Sequence, residues 1–170
     1  MLNIIKIAIS ELKNHYLSEG FADTVRGINN GECYSFASDL IEKISDTHGD
    51  SLITLNEVEY REYSDFYGGV DTPTPEIDND KMHVEGLIAL NSPLPEWLSI
   101  KDANTALGMG GGGHGFISAK IAGKTLYFDS LNPDGVETIF DLMISKFYIA
   151  AYNGQTKKAD TISAQMELVK

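Results

Sequence analysis

The stretch from His114 to Leu131 constrains the fold more tightly than any other part of the chain. His114–Ile121 and Thr125–Leu131 are two apolar, β-prone runs separated by Ala122-Gly123-Lys124. Runs of that kind joined by a short glycine-bearing link form an antiparallel hairpin. Asn132-Pro133-Asp134-Gly135 then reads as a turn. Whatever else the chain builds must pack against this hairpin.

Helical spacing supplies the covering elements. Leu2, Ile5, Ile9, Leu12 and Tyr16 lie three or four residues apart and predict a first helix with one buried stripe. Phe21 to Gly31 reads as a loop, punctuated by Gly27, Asn29, Asn30 and Gly31. A second helix opens near Cys33 and runs to about Ser45, with Phe36, Ala37, Leu40, Ile41 and Ile44 on one face and His48-Gly49 as its stop. Leu52 to Tyr60 fits a strand or a short helix equally well. An acidic, irregular excursion follows at about 61–85, where six acidic side chains stand against one lysine between Asp65 and Glu85. Val84–Leu90 is a short apolar element, and Pro93 and Pro95 lead into Trp97 and a possible helix to Leu107. A last helix is expected over about Glu137 to Tyr152, with a tail or terminal strand from Lys157. At 170 residues and 42% hydrophobic, the whole 1–170 chain suits one α+β domain around a single core.

Charge narrows the partners. A net charge of −12 and a pI near 4.6 oppose a nucleic-acid or anionic-membrane surface, because phosphates are repelled at long range. The first twenty residues carry Lys6 and Glu11 and lack a small-residue cleavage pattern, so they read as an amphipathic helix and not as a secretory signal. Ala103–Ala119 is the longest uncharged stretch, but its six glycines disfavour a membrane helix. One cysteine makes no internal disulfide, and a reducing, cytoplasmic setting is the simplest expectation.

That cysteine is the point where chemistry enters. Cys33 falls in the first turn of a helix, where unpaired N–H groups and the helix dipole favour a thiolate and offer donors to an oxyanion. A lone cysteine is more often an ordinary small core residue. His114 opens one hairpin strand, and Asp129 lies near the end of the next. A link at 122–124 sets residue 114 roughly opposite Ser130 and Leu131, which brings His114 and Asp129 together on one sheet face. An aspartate on one ring nitrogen fixes the tautomer and leaves the other to take a thiol proton. Singly, His114 reads as a surface histidine and Asp129 as a turn cap.

Taken together, these residues resemble a known family. Gly31-Glu32-Cys33-Tyr34-Ser35-Phe36-Ala37, with Leu40 beyond, is similar to the Gly-x-Cys-x-x-Phe-Ala helix start of the transglutaminase-like branch of the papain-like superfamily. His114-Gly115-Phe116-Ile117, then Gly123-Lys124, then Tyr127-Phe128-Asp129 with Pro133, resembles that branch's His strand, turn and Asp strand. The resemblance implies a papain-like fold, in which a helix bearing Cys33 packs on an antiparallel sheet bearing His114 and Asp129. Proteases, amide-forming transferases, deglycosylating hydrolases and inactive members all occur in it, so reaction class does not follow. The long Cys33-to-His114 separation implies an insertion.

Several further residues are candidates. Asn29 or Asn30 is placed to give a side-chain amide as second oxyanion donor, and Trp97 to line an acyl groove or to sit in the core. Gly108–Gly113 is either a connector or a lid beside His114. Its Gly-x-Gly-x-x-Gly pattern precedes a strand, which argues against a dinucleotide site. Asp71, Glu76, Asp78, Asn79 and Asp80 lack the later glutamate of an EF-hand loop, and the four histidines lack zinc-ligand spacing, so no metal is expected. No cofactor is suggested either. The leading expectation is a cysteine hydrolase or acyltransferase that acts on a peptide or isopeptide amide through a thioester on Cys33. The alternative is an inactive domain that binds a protein partner. Oligomeric state is left open.

Overall fold

The computed structural model describes residues 1–63, 94–99, 101, 102 and 113–169. It is an α+β structure built on a three-stranded antiparallel sheet of order β1-β2-β3 (Glu59–Tyr63, His114–Ile121, Lys124–Phe128). The central strand β2 meets β1 with Glu62 opposite Gly115 and Tyr63 opposite His114, and meets β3 with Ile117 opposite Phe128 and Ile121 opposite Lys124. The expected hairpin is present with a tighter link than its sequence suggests. Lys124 is already paired, so Ala122 and Gly123 alone make the turn, at φ +51° and +82°. Two consecutive positive φ values match the twist of the flanking strands, which is why the two-residue turn wins.

Alternation along β2 divides the core in two. Ile117, Ala119 and Phe128 face α1 (Leu2–Ser18) and α3 (Cys33–His48), packing with Ile5, Ile9, Phe36, Leu40 and Ile44. Phe116 and Tyr127 face the opposite way, toward α5 (Met143–Tyr152) and α6 (Thr156–Leu168), with Ile144, Ile149, Ile162 and Met166. The sheet is thus covered by helices on both sides. Each buried large apolar side chain contributes about 1.5–3 kcal/mol of transfer free energy.

Several expected boundaries move. The loop at 21–31 holds a single helical turn, α2 (Val25–Gly27), capped by Thr24, followed by a π-turn over Ile28–Glu32 that runs straight into α3. Leu52–Tyr60 divides between α4 (Asp50–Leu55) and β1. The expected last helix breaks into a 3₁₀ turn (Ile139–Asp141) and α5. The tail from Lys157 is neither loose nor a strand. It is α6, which buries Ala159, Ile162 and Met166 at helical spacing. From residue 64 the acidic excursion lies outside the described residues, as do Val84–Leu90, the continuation toward Leu107 and glycines 108–112. Among the described residues no helix is long and apolar enough to cross a membrane.

Candidate active site

Cys33 is the first residue of α3 and His114 the first residue of β2; Asp129 directly follows β3. Extending the β2–β3 register sets His114 opposite Leu131, with Asp129 on the diagonal and on the same sheet face. There His114 Nε2 meets Asp129 Oδ2 at 2.8 Å, with both side chains buried. The other carboxylate oxygen is fully engaged. Asp129 Oδ1 accepts from the Leu131 amide (2.9 Å), the Asn132 amide (2.8 Å) and Asn132 Nδ2 (2.7 Å). The carboxylate therefore acts as an acceptor at both oxygens, and Nε2–H is the donor toward it. Paired bonds between Tyr127 and Val136, each 2.9 Å, close this loop back onto β3.

With Nε2 committed to Asp129, Nδ1 is the ring nitrogen left to act on Cys33, and thiol and imidazole are close enough to shift each other's titration. The ring stacks on Phe116 at 5.9 Å, and Phe116 meets Tyr127 edge-on. Burial alone would lower the His114 pKa; the hydrogen bond it donates to Asp129, and the interaction with Cys33 and with both charges, overcome this and raise it from 6.5 to about 9. For Cys33, burial pushes the thiol up, but the neighbouring His114, the Gly115 amide and the Tyr34 amide together bring it below its ordinary value. Both shifts favour a thiolate–imidazolium pair.

Gly115 makes the approach possible. A Cβ there would lie 2.8 Å from Tyr34 Cα, 2.9 Å from the Cys33 carbonyl oxygen and 3.0 Å from the Tyr34 nitrogen. All three are backbone atoms of the first helical turn, so only a glycine lets β2 come this close. Neither this role of Gly115 nor that of Asn132, which the sequence marks only as part of a turn, shows in the local pattern. Lys13 is another residue the pattern does not mark. It is a buried lysine on the apolar stripe of α1, its pKa lowered by burial against the opposing pull of the Asp129 charge.

The remaining candidates separate. Asn29 is buried on the π-turn; its Oδ1 accepts from Ser130 Oγ at 2.9 Å, tying the approach to Cys33 to the Asp129 loop, and its Nδ2 has no partner among the described residues. Asn30 is exposed. Trp97 is 44% exposed, donating to Asp141 at 3.2 Å with Lys158 and Lys146 over its ring. Among the described residues no group of three His, Cys, Asp or Glu side chains is placed to hold a metal ion.

No family model, curated protein or solved structure matches the chain.

Proposed function

We propose that the chain is a papain-like cysteine hydrolase or acyltransferase that acts on a peptide or isopeptide amide. The observation that carries this reading is the buried Asp129–His114 pair set against the thiol at the head of α3. Cys33 Sγ attacks the amide carbonyl and His114 Nδ1 takes the thiol proton. Asn29 Nδ2, buried and without a partner among the described residues, is the candidate donor to the tetrahedral oxyanion. The C–N bond breaks, His114 returns its proton to the leaving amine, and a thioester remains on Cys33. Water or a second amine then attacks the thioester, giving up a proton to His114, and the acid or new amide leaves with the thiol restored. Asp129 holds the ring through both halves.

The test is to trap the thioester. The protein is mixed with p-nitrophenyl acetate, nitrophenolate release is followed, and the acylated residue is located by mass spectrometry. A burst of one equivalent with the acetyl group on Cys33, abolished by Cys33→Ser and slowed at least tenfold by His114→Ala, is the expected result. Acylation elsewhere, or at Cys33 with a rate indifferent to His114, would refute the reading.

A further inference from the structure

We propose that Tyr34, Tyr60 and Glu62 form a subsite beside Cys33 that takes a lysine or arginine side chain of the substrate. This rests on Cys33 being the nucleophile and specifies what it attacks: an amide next to a cationic residue.

The register puts these groups together. Glu62 is directly opposite Gly115 in the β1–β2 pair, so their Cβ directions share a face. At Gly115 that direction ends on Tyr34 and the Cys33 carbonyl. Glu62 therefore stands beside the first turn of α3. Tyr60, two residues earlier, is on the same face, and its phenol lies within electrostatic reach of both Tyr34 and Cys33. The two rings stay open to solvent, Tyr34 37% exposed and Tyr60 38%.

Their chemistry suits a cation. Tyr60 Oη donates to Glu62 Oε2 at 2.6 Å, which anchors the carboxylate; Oε1 has no partner among the described residues. Arg61 pairs with Glu59 and Lys120 with Glu57 on the opposite face, and Lys124, at the far end of the sheet, pairs with Glu137. Glu62 thus meets no protein cation among the described residues. A carboxylate anchored by one exposed phenol, with a second within that phenol's electrostatic reach, offers an ammonium or guanidinium group both an ion pair and cation–π contact. The net charge of −12 draws such a group in from solution.

Three peptidyl chloromethyl ketones test this, identical except for Arg, Leu or Glu in the residue that carries the warhead. Rates of Cys33 labelling are compared in the native protein, Glu62→Gln and Glu59→Gln. The last removes the same charge from the same strand on the opposite face. The arginine probe is expected to label about three- to tenfold faster than the leucine probe at low salt, with the glutamate probe slowest. The preference should collapse in Glu62→Gln and persist in Glu59→Gln. Equal rates in the native protein, a preference that survives Glu62→Gln, or an equal fall in both variants would overturn the proposal. Failure of the nucleophile reading would look different: all three probes slow and indifferent to His114→Ala, whatever their ratio.

Discussion

Replacing Gly115 by alanine puts the contact between β2 and α3 under direct test. The added Cβ would sit 2.8–3.0 Å from three backbone atoms of Cys33 and Tyr34, against 3.4–4 Å for ordinary contact. Neither partner has a side-chain rotamer to turn aside, so the strand and the helix start must part by about half an ångström. Overpacking of this kind costs about 1–3 kcal/mol. At 170 residues each kcal/mol lowers Tm by about 2–4 °C. The same displacement draws the Gly115 amide away from the thiol, removing one of the groups that hold the Cys33 pKa down. Two readings follow from one change: chemical denaturation shows the stability loss, and the pH dependence of thiol alkylation shows the pKa rising toward its ordinary value. Full stability with an unchanged thiol pKa would refute the reasoning, because the close approach would then be unnecessary. A loss of stability with the pKa unchanged would leave Gly115 a packing residue only.

The Asp129–His114 pair predicts a pH signature. The folded His114 pKa is raised to about 9 from 6.5, so the stability it adds is complete below 6.5 and disappears as the pH climbs through about 9. In a Cys33→Ser background, which removes the thiol titration, denaturation between pH 6 and 10 should show the advantage of Asp129 over Asp129→Asn shrinking by at most about 3 kcal/mol; a pH-independent difference would contradict the pairing. Asn132→Ala removes one of three donors to Asp129 Oδ1 and should cost about 1–3 kcal/mol by denaturation. It should also slow thioester formation at Cys33, whereas a variant equal to the parent in both would show that the two backbone amides suffice.

How much of this was legible depended on whether a residue's role is local. The hairpin and the Cys33 helix carry their own periods, two and 3.6, and the positions of Cys33, His114 and Asp129 in the fold followed from where those periods begin and end. β1 was only half legible, inside a stretch open to strand or helix, because Glu59-Tyr60-Arg61-Glu62-Tyr63 carries charge on both faces and shows no apolar alternation. α6 escaped because only Ala159, Ile162 and Met166 mark its buried side among mostly polar neighbours. Gly115 and Lys13 owe their roles to elements distant in sequence, which no local pattern records. Asn132 did carry a signal, three residues after Asp129 in a turn, and the turn reading absorbed it.

The activated thiol is the central claim, and Cys33 is the only cysteine in the chain, so its alkylation by iodoacetamide can be followed in the native protein without interference. Rates across pH 4 to 10 are compared between the parent and His114→Ala. A Cys33–His114 pair predicts an apparent thiol pKa well below the reference of about 8.5, returning to or above it when His114 is removed. A slow thiol with an ordinary or raised pKa, the same in both proteins, would contradict it.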